Sequence, residues 1–240
     1  MSKILVLADS GFGKSTSLGC IKELGIKGLD PSETLIISCS DKDLPFPGWS
    51  LDYKKVKTTS TGDVDGNYLT SNDPAAINKT IDFFLKHKPN IKNYVIDDFN
   101  FVMQDYYMEN AKTKGYTTFQ NIGYDVGQMF KRFSEIHKQG KNIIVLAHPE
   151  IYEVGGMVRS KMKTVGNMVD QYITPAAKFD LLLMGHEEFD DRTRAVKKHF
   201  VVGFDGNVRG KAPYGMFKDV YIPNDMGYVL DKVEEYKTKT

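Results

Sequence analysis

The chain has 240 residues, of which 41% are apolar and 26% are charged, so it is long enough for one globular domain with a substantial core. Its formal net charge of +1 gives no global reason to bind nucleic acid or a membrane, and any site for a polyanion must be a local patch. Two cysteines are too few for a disulfide framework, and no apolar run approaches the roughly 20 residues of a membrane span. These features predict a cytoplasmic protein that does not interact with membranes.

The first quarter of the chain predicts two buried strands. An apolar run predicts a strand over 3–9, and a helix is expected over 15–24, ending at Gly25. A second apolar run, rich in β-branched residues, predicts a strand over 34–40. The segment 41–49 contains two prolines and is therefore expected to be irregular.

The middle of the chain predicts two helices around a third strand. Asp73 is a suitable N-cap, and Pro74 suits the first helical position after it. A strand is predicted over 93–99, where it ends in two aspartates. The next helix is expected to reach about His137 and to close at Gly140.

The rest of the chain continues this alternation. Strands are predicted over 142–148 and 179–185, a β-hairpin over 198–210, and a short charged helix from Val229. Apolar strands that alternate with helices indicate an α/β fold, with a mostly parallel sheet, helices on both faces and a C-terminal β-hairpin. No linker or repeat interrupts the sequence, so we expect one domain over 1–240.

The strongest motif directly follows the first predicted strand. Residues 8–15 match the Walker A pattern at every position except the first, where alanine replaces glycine. Small residues let backbone N–H groups surround phosphate oxygens, Lys14 reaches the β- and γ-phosphates, and the Ser15 hydroxyl takes a Mg²⁺ position. The N-terminus of the following helix is expected to add positive potential. The predicted nucleotide-binding residues are Asp9, Ser10, Gly11, Phe12, Gly13, Lys14, Ser15 and Thr16.

A second motif lies about 80 residues further on. The apolar stretch 94–98 ends in Asp97 and Asp98, which is typical of a Walker B strand. Asp97 is predicted to hold Mg²⁺ through water, and Asp98 to orient or deprotonate the attacking water. Two alternatives stay open: the aspartates cap a strand end, or the catalytic base comes from another strand.

His148 stands at the end of another predicted strand. Ligands of open parallel sheets bind at the carboxyl ends of the strands, where Lys14, Asp97 and His148 are all expected. His148 is therefore predicted to sense the γ-phosphate, and the alternative is a structural histidine with no contact to a ligand.

These motifs and four further stretches resemble the small RecA-like, AAA-type P-loop ATPases of bacteriophages, close to the phage single-strand-annealing and recombination ATPases built from a bare RecA core. The resemblance covers nearly the whole chain and implies ATP as nucleotide, Mg²⁺, ring or filament assembly, and single-stranded DNA as partner. It is carried by A-D-S-G-F-G-K-S-T (8–16), K-D-L-P-F-P-G-W (42–49), V-I-D-D-F (95–99), I-V-L-A-H (144–148), K-T-V-G-N-M-V-D (163–170), R-G-K-A-P-Y-G-M-F (209–217) and I-P-N-D (222–225).

The resemblance also implies where DNA binds. In RecA-like proteins the loop after the strand that ends at His148 contacts single-stranded DNA, and here that loop carries adjacent glycines with Arg159, Lys161 and Lys163 in alternation. A solvated charged loop is the alternative. A second candidate is the stretch 106–124, which follows the Walker B strand.

Arg209 and Lys211 resemble cations that reach across a subunit boundary to the γ-phosphate bound by a neighbour. Such a cation raises the hydrolysis rate roughly 10³- to 10⁵-fold and makes it depend on assembly. The alternative is two exposed hairpin cations.

The sequence leaves three other functions open. A nucleotide kinase would use the two arginines of 190–194 as a lid, although acidic residues directly precede them. A GTPase is less suitable, because residues 63–66 fit D-x-x-G without a preceding apolar strand, and Asn78-Lys-Thr-Ile81 lacks the aspartate of N-K-x-D. The third is a nucleotide-gated DNA-binding or packaging accessory protein with negligible turnover. The main prediction is a Mg²⁺-dependent ATPase acting on single-stranded DNA in phage recombination or replication.

Overall fold

A computed structural model of the chain describes residues 1–58, 64–112, 117–155, 157–165, 167–172, 174–192 and 194–238. Its strands are β1 (Lys3–Leu7), β2 (Thr34–Ser38), β3 (Lys57–Thr58), β4 (Val64–Asp65), β5 (Tyr68–Thr70), β6 (Asn93–Asp97), β7 (Asn142–Ala147), β8 (Pro149–Val154), β9 (Met157–Met162), β10 (Leu181–Asp190), β11 (Ala195–Val201) and β12 (Tyr221–Pro223). Its α-helices are α1 (Trp49–Asp52), α2 (Pro74–His87), α3 (Asn100–Asn110), α4 (Thr117–Lys138), α5 (Asn167–Tyr172) and α6 (Met226–Thr238).

Eight strands form the main sheet, in the order β12-β11-β10-β1-β7-β6-β2-β5. The six strands from β10 to β5 are parallel to one another, and β11 and β12 are antiparallel to their neighbours. The predicted α/β fold with a mostly parallel sheet is confirmed. Because the carboxyl ends of parallel strands lie along one edge, the residues that follow β1, β2, β6 and β7 meet there.

Both faces of the sheet are covered, as the sequence predicts. Successive residues of β1 point to opposite faces, and its four apolar residues, 4–7, are fully buried. Leu5 and Leu7 belong to an apolar cluster with α2, α3 and α4. Ile4 and Val6 belong to a second cluster with α6 and the segment around Phe46. The continuous apolar runs of the parallel strands reflect this burial on two sides.

The predicted helix over 15–24 is wrong. The chain instead forms two short 3-10 turns, Ser15–Leu18 and Lys22–Leu24, separated by extended backbone at Gly19. A side chain at Gly19 would lie 2.4 Å from the Phe46 ring, so the chain leaves the helical path where it packs under that ring. The phosphate loop is thus followed by a 3-10 turn of four residues and not by a long helix, and the positive potential expected from a helix N-terminus is reduced.

The predicted C-terminal β-hairpin is confirmed, but its long ladder lies earlier in the chain. β10 and β11 pair from Met184↔Val201 to Asp190↔Ala195. The turn expected at Asp205 is also present, where that side chain accepts two backbone N–H groups and one bridge closes the turn. The strand predicted over 179–185 ends too early, because the second half of β10 is charged and extends beyond the core of the sheet.

The predicted ends of α2 and α4 are both found in the structure. Asp73 accepts hydrogen bonds from Ala75 and Ala76 as the N-cap of α2, and Gly140 follows α4 with a φ of 75°. None of the helices in the described ranges has the length and apolar character needed to cross a membrane.

Candidate functional site

The loop after β1 is shaped by two glycines. Gly11 and Gly13 have φ values of 84° and 99°, which side-chain-bearing residues rarely adopt. The loop curls so that the buried Lys14 lies against its own backbone. The Lys14 Nζ donates to the carbonyl oxygens of Ala8 at 2.8 Å and Asp9 at 3.2 Å. The ammonium group is thereby held at the centre of the loop, where a phosphate group would meet it.

Two carboxyl groups face Lys14 from the end of β6. Burial lowers the pKa of Lys14, and the charges of Asp98 and Asp97 oppose that shift. The cation is therefore incompletely compensated in this site. Phosphate oxygens would supply the missing negative charge.

Asp97, the last residue of β6, is 4% exposed. Burial raises its pKa to about 6, even though the Ser15 side chain hydrogen-bonds to it. Its Oδ1 atom is buried and has no hydrogen-bond partner among the described residues. A buried carboxylate oxygen beside a hydroxyl is a suitable donor pair for Mg²⁺, which takes oxygen ligands and retains several waters. The residues present fit the metal that the motif implies.

Asp98 has a φ of 58°, an uncommon conformation for a residue with a side chain. Its carboxylate accepts a hydrogen bond from Ser40 Oγ at 2.9 Å and lies 3.4 Å from His148 Nε2 and 3.6 Å from Lys42 Nζ. Burial opposes its ionisation, but the hydrogen bonds from His148 and Ser40 and the charge of Lys42 outweigh burial and hold its pKa at about 2. Such a carboxylate is a weak proton acceptor at neutral pH, and its partners hold it in one orientation.

His148 directly follows β7, the strand between β1 and β6. Its backbone N–H donates to the Asn100 side chain at 2.6 Å, and the amide of Asn100 in turn donates to the carbonyl of Lys163. Asn100 is almost fully buried, so this bridge positions His148 firmly at the edge of the sheet.

Most residues of the predicted phosphate loop line one pocket of about 220 Å³ together with Asp97, Asp98 and His148. Asp9 and Phe12 are exceptions among the loop residues. Asp9 contributes its carbonyl to Lys14, and the Phe12 ring packs in the core with its centroid 5.9 Å from that of Phe200. The pocket is lined by Ser10, Gly11, Gly13, Lys14, Ser15, Thr16, Ser38, Ser40, Lys42, Asp43, Pro45, Asp97, Asp98 and His148.

A second cavity of about 670 Å³ adjoins the phosphate pocket and shares Gly11, Gly13 and Thr16 with it. Its remaining wall combines apolar and polar side chains, which suits a base and a sugar better than a phosphate. Those residues include Leu24, Ile26, Val196, Lys198, Tyr221 and Asn224.

The predicted DNA loop is an antiparallel ribbon formed by β8 and β9, not an irregular loop. Lys161 forms ion pairs with Asp170 and, at 3.7 Å, with Glu150. Lys163 is exposed just after β9, and Arg159 lies on β9 directly opposite Tyr152. The second DNA candidate, 106–124, lies in α3 and α4 apart from 111–112 and the stretch 113–116, which is outside the described residues.

Arg209 and Lys211 lie outside the residues that line the phosphate pocket of their own chain. The Arg209 guanidinium stands 4.7 Å from the centroid of the Phe204 ring, and Lys211 Nζ donates to the carbonyl of Phe179 at 2.7 Å. A role at a nucleotide would therefore need the site of another subunit.

Where the structure describes them, the sequence features of the alternative enzymes do not line the phosphate pocket. Arg192 and Arg194 lie between β10 and β11, and neither is among the described residues that line the phosphate pocket. Asp63 lies outside the described residues, and 78–81 lies within α2.

Several residues of the site were not predicted. Ser40 and Lys42 follow β2, so the strand-end rule that identified His148 would have found them too. Asn224 donates to the Gly13 carbonyl at 3.1 Å, and Lys198 to that of Gly11 at 2.6 Å. These contacts join residues that are far apart in the sequence, so no local sequence pattern predicts them.

No protein-family model matches the chain, and no curated protein matches it. Among solved structures, the chain is similar to the crystal structure of a KaiC-like protein from the hyperthermophilic archaeon Pyrococcus horikoshii OT3. The TM-score is 0.43 and the sequence identity 10%, over 83% of this chain and 77% of that chain. A likeness of this size transfers no activity, so the functional argument depends on the site itself.

Proposed function

We propose that the chain is a Mg²⁺-dependent, RecA-like P-loop ATPase of one domain that couples its ATP state to single-stranded DNA in bacteriophage recombination or replication. One observation carries the nucleotide part of this proposal. Lys14 faces a buried Asp97 whose Oδ1 is unpartnered among the described residues and whose carboxyl group is hydrogen-bonded to Ser15. A triphosphate with its metal would satisfy all three groups at once.

In the proposed complex each part of ATP has its own place. The phosphates bind along the loop, where the cation of Lys14 contacts their outer oxygens. Mg²⁺ held at Ser15 and Asp97 would neutralise phosphate charge. The adenosine moiety occupies the adjoining cavity beside Tyr221 and Asn224.

For hydrolysis, the residues beyond the phosphate loop position a water. Asp98 is ionised and held by Ser40 and Lys42, so it is suited to orient a water rather than to take its proton. His148 lies beside it and lines the pocket at the end of β7. We therefore assign Asp98 and His148 to positioning the attacking water and sensing the γ-phosphate.

The connection to DNA is proposed through β8. This strand begins at Pro149, immediately after His148, and leads directly to Tyr152 in the ribbon. A change at the γ-phosphate that moves His148 would therefore be transmitted to the ribbon through adjacent residues of the chain. Assembly into a ring or filament remains part of this proposal, with ATP sites at the subunit interfaces.

One observation favours a second candidate, a nucleotide-gated DNA-binding or packaging accessory protein with negligible turnover. A carboxylate with a pKa of about 2 is a poor general base, and Asp98 is the carboxylate placed nearest to His148. If no other group accepts the proton, ATP would bind without being hydrolysed.

Steady-state ATP hydrolysis with Mg²⁺ tests the proposal, with and without a single-stranded oligonucleotide. We expect DNA to stimulate hydrolysis and Lys14→Ala to reduce it about 10²-fold or more, because the variant removes the cation at the transferred phosphate. Lys86→Ala, an exposed lysine of α2, is the matched control and should behave as wild type. ATP binding with background turnover under both conditions would instead establish the accessory protein.

A further inference from the structure

The two glycines of the phosphate loop are each held by a side chain from the antiparallel edge of the sheet. Lys198 Nζ, on β11, donates to the carbonyl oxygen of Gly11 at 2.6 Å and pairs with Glu187 of β10 at 3.3 Å. The side-chain amide of Asn224, directly after β12, donates to the carbonyl oxygen of Gly13 at 3.1 Å. Both glycines have positive φ values, so these side chains contact the loop where its backbone has the most freedom.

The residue between these glycines is held by the same edge. The Phe12 ring is 3% exposed, and its centroid lies 5.9 Å from that of Phe200 on β11. Lys198 and Phe200 are two positions apart on the strand, so their side chains leave the same face. A side chain at Gly185 of β10 would lie 3.1 Å from the Phe12 ring, so the glycine makes room for this packing. Residues 11–13 are thus anchored one after another to one edge of the sheet.

The position of the two polar contacts suits an anion-binding loop. Such a loop binds phosphate oxygens with N–H groups that point inward, so its carbonyl oxygens must point outward. Lys198 and Asn224 line the cavity beside the loop, and neither is among the described residues that line the phosphate pocket. They therefore donate to the outer side of the loop and stabilise the outward orientation of its carbonyl groups. The 3-10 turn that follows the loop has only four residues and gives it little support.

We propose that Lys198 and Asn224 are positioning residues that keep the phosphate loop in its anion-binding form before a ligand arrives. They act through the carbonyl groups of Gly11 and Gly13 and not through contact with the phosphates. A preformed loop raises affinity because less ordering is left for the binding step. The proposal rests on the nucleotide-binding part of the function proposed above and assigns a role in it to the antiparallel edge of the sheet.

Isothermal titration calorimetry with inorganic tripolyphosphate and Mg²⁺ tests the proposal on the full-length chain, because this probe has no base or sugar to occupy the adjoining cavity. Lys198→Met should weaken binding about tenfold, the value of one hydrogen bond from a charged donor. Lys198→Arg keeps a charged donor and should restore most of the affinity. Asn224→Ala should weaken binding about threefold, because the Ser17 backbone N–H still donates to the carbonyl of Gly13.

Two control variants separate the loop contacts from general effects. Lys197→Met removes the same charge one position away on β11, where the lysine pairs with Asp190 at 2.8 Å, and it should bind tripolyphosphate as wild type does. Asn207→Ala removes an exposed amide with the same expected result. Urea unfolding verifies that each variant is folded. Equal losses in Lys197→Met and Lys198→Met would reduce the effect to general charge and overturn the proposal.

Steady-state ATP hydrolysis gives a readout that a merely structural role would not produce. Lys198→Met should raise KM for ATP and leave kcat within about twofold, because the contact is the same in the ground state and the transition state. A fall in kcat at unchanged KM would show that Lys198 acts on the transferred phosphate, and the positioning role would be wrong. Wild-type affinity for tripolyphosphate in both Lys198→Met and Asn224→Ala would contradict it as well.

The same measurements separate this inference from the function on which it rests. ATP hydrolysis by a protein whose variants keep wild-type affinity would contradict the positioning role and leave the ATPase intact. Weaker tripolyphosphate binding by the variants of a protein with background turnover would support the positioning role in the accessory protein. A wild-type chain that binds neither tripolyphosphate nor ATP would contradict both the proposed function and the positioning role.

Discussion

Two adjacent carboxyl groups at the end of β6 have pKa values displaced in opposite directions. Burial raises the pKa of Asp97 to about 6, whereas the contacts of Asp98 with His148, Ser40 and Lys42 overcome its burial and hold its pKa at about 2. Two carboxyl groups whose pKa values shift in opposite directions within one site are suited to different chemical roles. The charge of Asp97 is only partly compensated by Ser15 and Lys14, so Asp97 is suited to bind a cation, whereas the charge of Asp98 is compensated by its protein partners.

At the residue scale, Asp97→Asn should stabilise the nucleotide-free protein. The pKa of Asp97 is raised on folding from 3.8 to about 6, so ionisation costs stability as the pH rises between about 4 and 6. Removing the charge should increase the free energy of unfolding by about 2–3 kcal/mol above pH 6 and have little effect below pH 4. Urea denaturation at pH 4 and pH 7.5 measures the difference.

Asp98→Asn is the matched control and should have the opposite effect. The pKa of Asp98 is lowered from 3.8 to about 2, so its stabilising contribution is present above about pH 4 and is lost as the pH falls toward 2. At pH 7.5 this variant should therefore lose about 2 kcal/mol of unfolding free energy. Equal effects of the two substitutions would contradict the assigned asymmetry.

At the scale of elements, α6 depends on the buried side chain of Asp225. Its carboxylate accepts backbone N–H groups from Lys27 at 2.8 Å, Gly28 at 3.0 Å, Gly227 at 2.9 Å and Tyr228 at 3.3 Å. The residue thereby caps the helix and joins it to the segment that follows the phosphate loop. The I-P-N-D stretch, singled out by its sequence, thus has a structural role.

Asp225→Ala should destabilise the protein by roughly 2–4 kcal/mol, because it removes a helix cap and leaves buried donors unpaired. Asp73→Ala removes the exposed cap of α2, with two such bonds, and should cost about 1 kcal/mol. Thermal or urea unfolding measures both. A loss at Asp225 no larger than that at Asp73 would show that the buried donors find other partners.

The same scale explains which elements the sequence predicts. The parallel strands were predicted because burial on both faces requires an unbroken apolar run. The helix over 15–24 was not formed because the packing of Gly19 against Phe46, 27 positions away, overrides local helix preference. The β8–β9 ribbon was missed because it protrudes from the core, so few of its side chains carry a burial signal.

For the molecule as a whole, the strand order decides how much of the site is predictable. Lys14 lies in the loop after β1, His148 directly follows β7 and Asp97 ends β6. These three parallel strands lie side by side, so the strand-end rule brings the three residues together. Lys198 and Asn224 contact the phosphate loop from β11 and from the stretch after β12. The position of these two side chains beside the phosphate loop depends on how the antiparallel strands β11 and β12 pack at the edge of the sheet. The hydrophobic pattern of the sequence does not predict that packing.

The two apolar clusters share the same central strands, which argues that the chain unfolds as one unit. Alternate residues of β1, β6 and β7 contribute to the cluster on each face, so neither cluster can lose its packing without exposing the other. The single tryptophan, Trp49, lies near one edge of the sheet, with its ring centroid 5.3 Å from that of Tyr68. We expect its fluorescence and the far-UV circular dichroism to report one coincident urea transition.

A substitution in the shared centre makes this prediction stricter. Ile144 is fully buried in β7, far in sequence from Trp49, and Ile144→Ala should cost about 2–5 kcal/mol. If the chain is one cooperative domain, both signals must shift to lower urea by the same amount. A circular dichroism midpoint that moves while the Trp49 midpoint stays in place would show that the edge around α1 unfolds separately, and the single-domain prediction would then be wrong.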